Sequence, residues 1–128
     1  MAGFSDYLEN KILDVFFRGQ AFSPPATVYL ALYTAAPTDA GGGTEVSGSG
    51  YARQAIPMTS AASGGLVSNT GVVSFTAAGG NFGTITHVGI FDAATAGNLL
   101  SWDDIVPIAI NNGDTLDFPI GELDISQD

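Results

Sequence analysis

A chain of 128 residues suits one domain and should bury roughly two-thirds of the surface its unfolded form exposes, so a core without staples is within reach. Three cations, Lys11, Arg18 and Arg53, stand against thirteen acids for a formal net charge of −10, which argues against nucleic acid or an anionic membrane as partner. The absence of cysteine removes disulfides, thiolate nucleophiles and cysteine zinc sites. The N-terminus is acidic with only a short apolar stretch, and no run of about 18 apolar residues is present, so a soluble chain without a signal peptide is expected.

The first element reads as the one helix. Ser5 is an N-cap, Asp6 and Glu9 sit at the positive end of the dipole, Arg18 lies in the last turn and Gly19 stops the helix. Leu8, Ile12, Val15 and Phe16 make one apolar stripe, which Phe4 and Phe17 extend sideways. That stripe either packs on a sheet or docks on a neighbouring subunit. Pro24 and Pro25 make the following link extended and stiff.

From Thr27 the pattern changes to short runs of period two. Strands are expected at 27–34, 51–58, 66–69, 72–76, 85–92, 99–102, 106–110, 115–118 and 123–125. In the first of these, Val28, Leu30 and Leu32 face one way and Tyr29, Ala31 and Tyr33 the other, as in a central strand covered on both faces. Residues 35–50 form a long Gly, Ser, Thr and Ala-rich connection, of the kind that is either a working loop or ordered by a partner. Gly41-Gly42-Gly43 supplies loop flexibility there; no Gly-Lys-Ser/Thr follows to make a phosphate loop. Asn111-Asn112-Gly113-Asp114 carries the signature of a type I′ hairpin turn, and residues 93–98 link a second hairpin. The expected class is a mainly β chain: an antiparallel β-sandwich or jelly-roll-like domain over 27–128, preceded by a helix and Pro-containing linker over 1–26.

The inventory for chemistry is thin. His87 is the only histidine, and alternation places it on the face of Ile85 and Phe91, where it reads as a hydrogen-bonded packing residue rather than a general base. Asp92, Asp103, Asp104, Asp114, Asp117 and Glu122 read as solvated turn and edge residues, since the 111–117 segment lacks the ligand spacing of an EF-hand. Tyr29, Tyr33, Tyr51 and Trp102 could line a sugar platform, although strand aromatics more often fill a core or interface. No catalytic, metal or cofactor residue is expected.

The runs 29–37 (YLALYTAAP), 48–54 (GSGYARQ), 68–70 (SNT), 86–100 (THVGIFDAATAGNLL) and 112–115 (NGDT) resemble a family of small tailed-bacteriophage virion proteins of tail-fibre-like kind. The resemblance implies a non-enzymatic structural protein, made in the host cytoplasm and assembled on the virion, with no catalytic residue to carry across. Small size and the lack of a repetitive shaft turn this expectation toward the capsid surface. A decoration, or cement, protein would bridge capsomers, with the major capsid protein or other virion proteins as partners and a homo-oligomer, for instance a trimer, as its form. The alternatives are a tail-associated, tail-fibre-like protein and a host-glycan-binding module. The expected contacts are Phe4, Leu8, Ile12 and Phe16 on the helix and Gly41, Gly42, Gly43 and Glu45 in the long loop. Arg53, the only cation after Arg18, joins them as a structural ion-pair partner.

Overall fold

The computed structural model describes residues 3–126. A two-residue strand, β1 (Gly3–Phe4), leads into α1 (Asp6–Arg18), and the expected caps form at both ends. The Ser5 hydroxyl accepts from the Leu8 N–H, while Gly19 adopts the left-handed conformation and the N–H groups of Gly19 and Gln20 both reach the Asp14 carbonyl. Ser5 is buried for a second reason: its N–H donates to the Leu100 carbonyl at 2.8 Å and its hydroxyl to that of Leu99. The helix is therefore stitched at its start to the β domain.

Nine further strands follow: β2 (Val28–Ala35), β3 (Thr44–Glu45), β4 (Gln54–Ile56), β5 (Leu66–Ser68), β6 (Val73–Thr76), β7 (Gly83–Phe91), β8 (Leu99–Ile110), β9 (Thr115–Phe118) and β10 (Asp124–Ser126). All their pairings are antiparallel. The large sheet runs β1-β8-β7-β2-β3, with β4 also paired to β2, and β6-β9 and β5-β10 make two separate ribbons. Leu30, Leu32, Val88 and Ile90 of the large sheet pack against Val73, Phe75 and Phe118 of the β6-β9 ribbon, so the main core lies between layers. The expected mainly β class with one N-terminal helix is the observed one. Strand β2 is central and covered on both faces: Ala31 and Tyr33 point away from the main core into a second cluster with Phe91 and Leu99.

Four local expectations are corrected. Residues 99–102 and 106–110 belong to one strand, β8, which bulges so that Thr86 alone faces Ile105, Val106 and Pro107. That bulge breaks the alternation of β7, so Ile85 joins Val88 and Ile90 in the main core while His87 turns to the opposite face. Asn111-Asn112-Gly113-Asp114 is not a hairpin turn, because β8 pairs with β7 and β9 with β6: the turn carries the chain from the sheet to the ribbon. Only Gly113 within it has positive φ, and the Asp114 N–H donates to the Asn111 carbonyl, the pattern of a type II rather than a type I′ turn. The connection 35–50 is not without regular structure, since β3 lies within it and Thr38 and Gly41 exchange two backbone hydrogen bonds of 2.8 Å. The hairpin linking β7 and β8 through 93–98 forms as expected.

Candidate functional site

Two connections meet at one end of the large sheet, and a single arginine joins them. Glu45 in β3 and Arg53, just before β4, form a two-point ion pair in which Nε and Nη2 each lie 2.9 Å from a carboxylate oxygen. Nη1 of Arg53 donates to the carbonyls of Ala93 and Ala96 in the β7–β8 hairpin at 3.0 and 2.7 Å. Its guanidinium carbon sits 3.6 Å from the centre of the Phe91 ring, which in turn stacks on Tyr33. The Tyr51 hydroxyl donates to Glu45 at 2.7 Å and accepts from the Leu32 N–H at 3.1 Å.

The electrostatics follow from that closure. Burial pushes the Glu45 carboxyl up, but hydrogen bonds from Arg53 and Tyr51 and the charge of Arg53 outweigh it and leave the group below its ordinary value. The hydrogen bond from Arg53 to Glu45 raises Arg53 against the opposing effect of burial. Burial, helped by the Glu45 charge, pushes Tyr33 up to about 12, and burial with the Glu45 hydrogen bond raises Tyr51 further. Arg53 is thus a structural tie holding two loops and two strands, with its charge turned inward.

Above this tie lies an open cleft of about 430 Å³ between the start of α1, the 38–42 turn and the β7–β8 hairpin. Asp6, Tyr7, Asp39, Gly42, Asn98 and the edge of Phe91 line it. The turn is held in place from two sides, because the Asp6 N–H donates to the Asp39 carbonyl and the Trp102 indole N–H to the Asp39 carboxylate, both at 2.9 Å. Gly43 is needed where the loop folds back: its φ is +76°, and a Cβ there would lie 2.7 Å from the Pro37 nitrogen. Carboxylates, an amide and backbone groups without a cationic side chain suit a neutral polar ligand or another protein's backbone, and repel anions.

The expected contact residues divide between this end and the helix. Gly41 and Gly42 border the cleft; Gly43 lies under the turn, and Glu45 and Arg53 engage each other below it. Phe4, Leu8 and Ile12 are half-buried, whereas Phe16 is 75% exposed. Beside Phe16, Phe17 is 79% and Leu13 53% exposed, so the second half of α1 presents an apolar surface. Sequence reasoning did not single out Leu13, nor Tyr7, Asp39 and Asn98 in the cleft. Adjacent Phe16 and Phe17 are the signal for the first, since neighbouring helix positions cannot both face one core; only long-range folding assembles the cleft.

His87 is half-buried, with its Nδ1 2.8 Å from the Thr86 hydroxyl and its ring beside Trp102. Tyr33 and Tyr51 are committed to the interior, so the four aromatics do not form one platform. Asp92 holds the β7–β8 hairpin, accepting from the Asn98 backbone N–H at 2.7 Å and its side-chain amide at 3.0 Å. Among the described residues no group of three or more His, Asp or Glu is placed to hold a metal ion.

A family model described as Podophage GP4 fiber I protein gp80 matches residues 3–126. The chain belongs to that family. It is thereby a tail-fibre-like structural protein of the phage virion, and the resemblance carried by 29–37, 48–54 and 86–100 holds over the whole described fold. No curated protein matches the chain.

Proposed function

We propose that this chain is a tail-associated fibre domain of a podophage particle. The observation that carries the reading is the match of residues 3–126 to a family named for a fibre protein, which favours the tail over the capsid lattice. The architecture supports it: a rigid β domain holds a loop cluster at one end and an apolar helix surface for attachment to other virion proteins. No catalytic step is invoked, and the work of the domain is contact. Immunogold electron microscopy of intact particles with an antibody to this chain tests the placement. Label confined to the tail supports the fibre role; dense label over the head overturns it in favour of capsid decoration.

The cleft favours a second reading, a host-glycan-binding module, because carboxylates and an amide beside aromatic edges suit hydroxyl-rich ligands. Glycan-array binding lost on Asn98→Ala and Asp6→Ala with the fold retained supports it. Array silence with the folded wild type removes it.

A further inference from the structure

Asn112 is the one asparagine of this chain that precedes a glycine: Asn10, Asn69, Asn81, Asn98 and Asn111 are followed by Lys, Thr, Phe, Leu and Asn, and no aspartate precedes glycine either. The pairing has a chemical consequence. A residue without Cβ leaves its backbone nitrogen open to approach the preceding side chain, and amide side chains are thermolabile for this reason. In that reaction the Gly113 nitrogen loses its proton to solvent base and bonds to Cγ of Asn112, the Cγ–Nδ2 bond breaks, and ammonia leaves. Water then opens the cyclic imide at one carbonyl or the other, giving aspartate or its β-linked isomer.

The turn is accessible, since residues 111–114 are all exposed and water and base reach them. Its reacting atoms are nonetheless engaged, and every partner lies in the segment that follows β6. The Gly113 N–H donates to the carbonyl of buried Ala77 at 2.8 Å, so the proton that must leave points into the fold. The Asn112 Oδ1 accepts from the Gly79 N–H at 3.0 Å, and the Asn112 N–H donates to Oδ1 of Asn81 at 2.8 Å. The Ala77 N–H closes the contact by donating to the Asp114 carbonyl at 3.0 Å. Side-chain amide and attacking nitrogen are thus tied to different points, and neither can swing onto the other while those bonds hold.

We infer that Asn112 is the deamidation site of this chain and that the 77–81 segment gates it. Modification proceeds through local opening of the turn, so its rate in the fold is the unfolded-chain rate reduced by the fraction of time the turn is open. The product bears on the architecture. This turn carries the chain from the large sheet to the β6-β9 ribbon, and the β-linked isomer inserts an extra carbon into its main chain beside Gly113, whose φ is +88°. Either product adds a negative charge to a chain already at −10. The inference is independent of where on the particle the domain sits.

Mass spectrometry of the full chain held at mildly alkaline pH decides it, with peptide sequencing and an isoaspartate assay to locate the change and circular dichroism to confirm that each variant is folded. In urea the chain should deamidate first at Asn112, and Gly113→Ala should suppress that reaction. Folded wild type should react at least tenfold more slowly. Asn81→Ala, which removes the acceptor of the Asn112 N–H, should speed the folded reaction severalfold. Ser5→Ala weakens the fold at the other end of β8, where Ser5 meets Leu99 and Leu100, and should leave the rate unchanged. The proposal is overturned by folded wild type reacting at the unfolded rate, by an Asn81→Ala rate no faster than wild type or matched by Ser5→Ala, or by first modification at another asparagine.

Discussion

Arg18 and Arg53 are the same residue type in opposite situations. The Arg53 side chain is 8% exposed and reaches Glu45, two carbonyls and the Phe91 ring, whereas that of Arg18 is 65% exposed and reaches only Asp14, one turn away. The first is held by residues distant in sequence and organises the loop end of the sheet. The second follows exposed Phe16 and Phe17 in the chain, and Asp14 is its one side-chain partner among the described residues. The molecule is complete where a charge has all its surroundings fixed, and open where one stands next to uncovered rings that another surface can meet.

Breaking the closed region should have the largest effect. Arg53→Ala leaves Glu45 and two hairpin carbonyls without their donor and should lower stability by about 3 kcal/mol, as one-sided removal of a substantially buried pair does. Urea denaturation measures it, and a loss below about 1 kcal/mol would deny Arg53 its tying role. Gly43→Ala should cost about 2 kcal/mol, because the new Cβ meets the Pro37 and Ala35 backbone at 2.7 and 2.8 Å in a left-handed residue. Ser5→Ala, which removes the cap and a buried hydroxyl hydrogen bond, should cost about 1 kcal/mol by the same measurement.

Acid should weaken the closed region through Glu45. A carboxyl held below its ordinary value in the fold stabilises it above the unfolded pKa and loses that contribution as pH falls through the folded one. Stability should therefore drop as pH falls below 4.5, and Glu45→Gln should flatten that limb of the profile. At the other end, Tyr33 should withdraw stability as pH climbs from 10.0 toward about 12, since the folded state holds its proton longer. The smallest effect on folding belongs to the open region: Phe16→Ser with Phe17→Ser should change stability by no more than about 0.5 kcal/mol each.

What could be read from the sequence follows the same division between local and distant causes. The helix and its caps were legible because Ser5, Asp6, Arg18 and Gly19 act within a turn of where they stand. Strand β2 was legible from its alternation. The bulge opposite Thr86 was not, although Pro107, which cannot donate to a ladder, is its local trace. Asn112-Gly113 marks a turn in any context, but whether the chain leaves it for the same sheet or another layer depends on which strand captures β9. The order of residues 35–50 comes from Trp102, Asp6 and Leu32, partners that no local pattern announces. The cleft was illegible for that reason, while the exposed end of α1 was half-written in two neighbouring phenylalanines.

The proposed fibre role puts this domain on the phage tail, attached through its uncovered helix end. A cryo-electron microscopy reconstruction of the intact particle, calculated without imposing capsid symmetry on the tail, tests it most directly. The account predicts the two-layer β domain at the tail with Phe16 and Phe17 seated against a protein neighbour. Density for the domain at capsid lattice positions, or a tail domain whose helix end stands in solvent, would contradict it.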